Sequence, residues 1–152
     1  MSESHSLAES EGIFRAILAG GGVFTLHPQG NSMRPTIVPG RDSVSMVRPD
    51  GRAVRGDLLF YKRPDGHFVL HRVVSVEPDS YTLCGDNQVT LERGVRDDWV
   101  IGVVTAIHRP QGDLVRGTPA WNAAARSRER SRPFRAMRWR AACAVRRIFR
   151  KK

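Results

Sequence analysis

The chain has 152 residues, 40% hydrophobic and 26% charged. This is one domain's length, and the composition excludes both a wholly disordered and a membrane-dominated chain. The formal net charge of +10 is unevenly spread: residues 121–152 hold twelve Lys and Arg against one acidic residue, whereas residues 1–120 are close to neutral. The basic character therefore belongs to the C-terminal tail and says nothing about the chemistry of the body. Cys84 and Cys143 lie far apart without CxxC spacing, and none of the five histidines forms HExxH, so no disulfide framework, metal site or cofactor is predicted. No apolar run approaches the roughly 20 residues that span a bilayer. The opening MSESHSLAESEG is acidic where a secretory signal is basic and then apolar, and a cytoplasmic body is expected.

Ser6 followed by Glu9 reads as a capping box opening a helix, with Leu7, Ile13, Phe14, Ile17 and Leu18 on one apolar face. Gly20-Gly21-Gly22 ends it, so residues 1–22 form an N-terminal helical segment. Strand signals fill residues 23–116: Val23–Leu26, Val44–Val47, Leu58–Tyr61, Phe68–Val76, Tyr81–Leu83 and Val100–Ile107. Each is short, β-branched or aromatic, and bounded by Gly, Pro, Asp or Asn. Asp65-Gly66 predicts a hairpin and Pro78-Asp79-Ser80 the next reversal, while the polar stretch Gln88–Asp98 reads as a loop interrupting the sheet. The expected fold is mostly β, with one leading helix.

Residues 117–133, with Gly117, Pro119, Pro133 and a run of Arg and Ser, read as a linker. Beyond them Phe134, Met137, Ala141, Val145 and Ile148 recur at helical spacing, while Arg135, Arg138, Arg146, Arg147 and Arg150 cover much of the remaining surface. Residues 134–152 are thus predicted to form a basic amphipathic helix. Such a helix can pack on the body, or lie on an anionic membrane through its apolar stripe and about 1 kcal/mol per basic residue near the surface. Trp139 suits the headgroup level. Phosphates of nucleic acid are a third target, but nothing else in the chain supports that, and no nucleic-acid partner is expected.

The densest cluster of unusual residues is Gly30-Asn31-Ser32-Met33-Arg34-Pro35-Thr36-Ile37, followed by Pro39-Gly40-Arg41-Asp42. Between a flexible glycine and a rigid proline, Ser32 can present both its hydroxyl and its amide outward. A serine nucleophile needs a base to take its proton. In Phe68-Val69-Leu70-His71-Arg72-Val73-Val74, a strand would put Val69, His71 and Val73 on one face. His71 between two aliphatic neighbours is then partly desolvated and biased toward its neutral, proton-accepting form.

These pieces recur in a fixed order: Ser32-Met33 with Pro35-Thr36-Ile37, then Gly56-Asp57-Leu58-Leu59, His71-Arg72-Val73, Gly85-Asp86-Asn87 and Val100-Ile101-Gly102-Val103-Val104. Over residues 28–109 this closely resembles the signal peptidase I family and its LexA-type relatives. The resemblance implies an antiparallel coiled-sheet peptidase fold over residues 23–116, and serine endopeptidase activity on an extended peptide or precursor protein. It aligns Ser32 with the nucleophile and His71 with the general base, as in members that carry histidine instead of lysine. Activity is then expected to rise with pH through a histidine titration near the ordinary value of about 6.5. A carboxylate partner for His71 is implied, with Asp86 first and Asp97 and Asp98 as rivals.

The family's oxyanion hole uses the nucleophile's amide and a second donor two residues earlier. Here that position is Gly30, which has no side-chain donor, so either a backbone amide substitutes or the hole is weaker. Met33 and Pro35 are expected to be structural, Met33 packing under the groove and Pro35 fixing the chain direction. Arg72 on its strand needs a carboxylate, for which Asp57 is the candidate. Two departures stand out: no membrane-spanning anchor, and Arg41 inserted between Gly40 and Asp42. A cytoplasmic-face peptidase held peripherally by Phe134–Lys152 is the reading that follows. The alternatives are a self-cleaving regulator cut at Ala19-Gly20 and a non-catalytic peptide-binding module.

Overall fold

Eight strands pair antiparallel in one sheet, with a helix at each end of the chain, in a computed structural model that describes residues 2–149. Helix α1 (Ser2–Ala19) leads into β1 (Phe24–Leu26), β2 (Ser43–Val47), β3 (Leu58–Lys62), β4 (Phe68–Val76), β5 (Ser80–Cys84) and β6 (Glu92–Arg96). A 3-10 turn at Asp97–Trp99 precedes β7 (Val100–His108), β8 (Leu114–Val115) and helix α2 (Pro119–Phe149). The strand order is β1-β2-β7-β3-β4-β5-β6, with β8 paired to β7. The β3–β4 hairpin closes where expected: Gly66 adopts φ 90°, a left-handed value open to glycine, and the His67 amide donates to Asp65 Oδ1 at 3.0 Å.

Register shifts interrupt the pairing of β2, β3, β4 and β5 with their neighbours. Such bulges bend strands and increase their twist, and this sheet buries apolar side chains on both faces. In β3, Leu58 and Phe60 enter one core with Met33, Met46, Ile101 and Ile107, whereas Leu59 and Tyr61 enter another with Val73, Tyr81, Leu83 and Val95. That two-sided burial explains why β3 reads as a continuous apolar run.

Helix α1 begins at Ser2, so Ser6 lies within it and does not start it; the side chains of Ser6, Leu7 and Glu9 lie outside the described residues. Its buried face is also narrower than predicted. Leu18 is buried and Phe14 packs against Phe24, Phe60 and Phe68, but Ile13 and Ile17 are exposed. Gly102 permits this approach, because a Cβ there would lie 3.0 Å from Met46 Sδ and 3.2 Å from Leu18 Cδ1. Polar contacts fix the helix angle: Arg15 donates to the carbonyls of Asp98 and Val100, and Glu11 pairs with Lys62.

Two expectations fail. The stretch Gln88–Asp98 is not all loop, since it contains β6, an edge strand on which only Val95 is buried. Residues 117–133 are not a linker. Gly117 turns at φ 81°, the Thr118 hydroxyl accepts from the Trp121 amide, and Pro119 occupies the first helical position. The apparent breakers are therefore a helix start. Helix α2 runs unbroken through Pro133, so the predicted tail helix is its second half. Trp121 and Ala125 bury the first half against the body, whereas Phe134, Met137, Val145 and Ile148 are exposed. Arg150, Lys151 and Lys152 lie outside the described residues.

Candidate active site

The Ser32 loop is held from below and from one side. Met33 and Ile37 anchor it in the core, and the Ile37 amide donates to the Met33 carbonyl at 3.0 Å. Pro35 is exposed and follows a cis peptide bond. From the side comes the turn after β5: the Asn87 amide donates to the Ser32 carbonyl at 2.8 Å, and Asn87 Nδ2 to the Asn31 carbonyl at 3.2 Å. Gly85 makes this contact possible, since a Cβ there would lie 2.7 Å from the Ser32 carbonyl oxygen.

Asp86 braces the same junction, and among the described residues it makes no hydrogen bond or ion pair to His71. Its carboxylate takes both forks of Arg72, at 2.8 Å and 2.7 Å, and accepts from the Thr36 hydroxyl at 2.5 Å. All three side chains are buried. A bidentate buried pair of this kind ties β4 to the serine loop. Arg72 is accordingly not paired with Asp57, which binds Arg116 through two bonds of 2.7 Å and accepts from the Val54 amide. Asp97 and Asp98 are also elsewhere, Asp97 on the Tyr81 hydroxyl and Asp98 on Arg96.

The carboxylate facing His71 is Glu92, on the edge strand β6. His71 pairs with Leu59 across β3 and β4, which makes Tyr61 its diagonal neighbour on the same face, with ring centroids 6.3 Å apart. His71 Nδ1 lies 3.4 Å from the Tyr61 hydroxyl and 3.6 Å from Glu92 Oε2. Tyr61 donates its one proton to Glu92 Oε2 at 2.5 Å. Toward His71, therefore, both neighbours act only as acceptors. This favours the proton on Nδ1 and leaves Nε2 as the open acceptor.

Charge supports the same assignment. Glu92 would be pushed up by burial, but the Arg63 fork, at 2.7 Å on each oxygen, and the Tyr61 bond hold it below the usual glutamate value. Burial and the adjacent Glu92 carboxylate both raise the Tyr61 phenol, which stays protonated. Burial lowers His71 to about 4, against an opposing pull from Glu92. The imidazole is thus neutral at pH 7, and its titration lies well below the expected 6.5.

Ser32 and His71 line one cleft of about 500 Å³, with Phe14, Phe60, Phe68 and Gln88 among its walls. No hydrogen bond joins the two side chains among the described residues. His71 also lines a second cavity, of about 950 Å³, with Glu92 and with Arg135, Arg138 and Trp139 of α2. The Ser32 amide has no backbone partner among the described residues, so it remains free to donate to an oxyanion. Gly30 offers only its backbone, and a Cβ there meets nothing within 4 Å.

A second serine–histidine set lies elsewhere on the sheet, at positions the sequence did not single out. Ser45 Oγ is 2.7 Å from His108 Nε2, and His108 Nδ1 is 2.9 Å from Asp113 Oδ2. Ser45 sits inside a strand paired on both sides, to Thr25 and Ala106, and lines neither cavity described above. Among the described residues no group of three His, Cys, Asp or Glu is placed to hold a metal ion. The chain matches no family model, no curated protein and no solved structure.

Proposed function

We propose that this chain is a serine endopeptidase of the signal-peptidase-like type, with Ser32 as nucleophile and His71 as general base, and that its bulged sheet is that family's coiled-sheet peptidase fold. The observation that carries this reading is the buried, neutral imidazole, its Nε2 left as acceptor, sharing a cleft with a loop-borne serine. His71 Nε2 takes the Ser32 proton as Oγ attacks the peptide carbonyl, and the tetrahedral oxyanion accepts from the Ser32 amide. The imidazolium so formed is stabilised by Glu92 and Tyr61, then gives its proton to the leaving amine. Water activated by the same nitrogen releases the acyl group from Ser32. The aromatic walls suit an apolar stretch of an extended substrate.

The self-cleaving alternative gains no support, because Ala19 lines a separate cavity with Arg48, Pro49 and Asp97. No helix among the described residues is long and apolar enough to cross a membrane. In our reading the enzyme works at the cytoplasmic membrane face, held by Phe134, Met137, Val145 and Ile148 of α2, which are exposed and stand on the side of the helix away from Trp121 and Ala125. The direct test is to incubate the full chain with extended peptides and read products by mass spectrometry. Cleavage by the wild type and none by a folded Ser32→Ala variant is expected; equal cleavage by both would remove Ser32 from the mechanism.

A further inference from the structure

Helix α2 and the turn after β5 enclose a third cavity, of about 160 Å³, whose walls include Arg55, Arg72, Arg126, Arg128, Arg132 and Arg135. Two acids also line it, and both are already engaged: Asp86 by Arg72 and Glu129 by Arg55. The remaining four arginines have no carboxylate partner among the described residues. Arg128, Arg132 and Arg135 follow one another at helical spacing on one face, a like-charge series that destabilises a helix when nothing lies between. Arg135 donates only to neutral acceptors, the carbonyls of Arg128 and Gln88 and the Ser131 hydroxyl, and its buried Nε has no partner. Burial and the Arg128 charge both press its pKa down, the behaviour of a cation lacking a counter-ion.

We propose that this cavity binds a phosphate group, held by the guanidinium groups of Arg128, Arg132 and Arg135. A tetrahedral oxyanion offers acceptors in several directions and so can meet several guanidinium forks at once. The volume suits an inorganic phosphate or a phosphomonoester head and lies below the roughly 300 Å³ where drug-sized sites begin. The ligand would bridge α2 to the Gly85–Gln88 turn, the turn that also holds the Ser32 carbonyl. Occupancy is read by binding and melting, so this inference stands or falls separately from the peptidase reading.

The experiment titrates the full chain with inorganic phosphate at ionic strength matched by chloride, following melting temperature and calorimetric heat. Saturable stabilisation beyond that of chloride is expected. Arg132→Gln or Arg128→Gln should weaken phosphate binding roughly tenfold or more, as loss of a charged hydrogen bond does. Arg146→Gln, an equal charge change on the exposed end of α2, should leave it unchanged. A second arm uses phosphatidylglycerol vesicles. If phosphate competes with the vesicles and Arg132→Gln loosens them, the occupant is a lipid headgroup; if neither affects vesicle binding, it is soluble phosphate. Phosphate acting no differently from chloride, or Arg146→Gln costing as much as Arg132→Gln, would overturn the site. Should either pocket variant fail to fold, the chloride comparison on the wild type still decides.

Discussion

On one part of the sheet Ser45, His108 and Asp113 form an unbroken hydrogen-bonded series, while on another Ser32 and His71 share a cleft without a bond between them. Judged by contact distance alone, the first set is the better triad. It lacks what surrounds the second. His108 and Asp113 are substantially exposed, so little desolvation acts on them, and Ser45 has its backbone committed to the ladder on both sides. His71 is buried, its tautomer is constrained by two acceptors, and its serine sits on a loop with an unspent amide beside a cavity. A short Ser–His bond forms readily between neighbouring strands; burying an imidazole beside an open cleft carries a desolvation cost.

The sharpest way to break this comparison is to remove each serine in turn. Ser32→Ala should lower peptide cleavage by about a thousandfold or more, and Ser45→Ala should leave it within about twofold. A serine-directed phosphonate should label Ser32 and spare Ser45 on peptide mapping. Labelling of Ser45 instead would reverse the two assignments.

The two acids separate next. Glu92→Gln replaces a carboxylate that can only accept with an amide that also donates, so Tyr61 is free to turn its proton toward His71 and impose the wrong tautomer. A fall in kcat of roughly a hundredfold is expected, with KM little changed and Glu92→Asp recovering part of the loss. Asp113→Asn should not move kcat.

Acid sensitivity follows from the His71 shift. Its folded pKa of about 4 lies below the unfolded value of about 6.5, so the unfolded chain binds more protons between those limits. The neutral imidazole's contribution is complete above pH 6.5, declines as pH falls, and is lost on passing through pH 4. The shift corresponds to about 3 kcal/mol. Urea midpoints of the wild type and His71→Gln across this range should differ in slope accordingly, and a parallel pair of curves would contradict the burial effect. Activity should be level from about pH 5 to 8, not rising through 6.5.

The smallest expected change is a gain. At Gly30 the space is open and the φ ordinary, so Gly30→Ser is sterically free and offers the second oxyanion donor that glycine lacks. A rise in kcat of about tenfold is expected, a fraction of the hundredfold or more that an established donor provides. No rise would show that a backbone amide already fills that place.

Most of the sheet was legible because its interior strands are runs of β-branched and aromatic residues between strong turn formers, as at Leu58–Lys62 and Phe68–Val76. Strand β6 escaped because an edge strand with one buried side chain, Val95, has no apolar run to read. Its loss concealed Glu92, and with it the carboxylate that faces His71. No count along the chain separates Glu92 from Asp86, since that choice depends on β3, β4, β5 and β6 lying side by side. Gly117 and Pro119 misled for a different reason: both mark helix starts as readily as linkers, and the deciding signal was the recurrence of Trp121 and Ala125 one turn apart.

Helix α2 is 31 residues long, a rod of about 46 Å. Its near end is fixed by Trp121, its middle supplies Arg135, Arg138 and Trp139 to the rim beside His71, and at its far end Val145 and Ile148 are exposed. A partner that grips that exposed end would act on the rim with leverage. Pro133, which removes one backbone hydrogen bond just before the rim residues, is where such a load would be absorbed as bending.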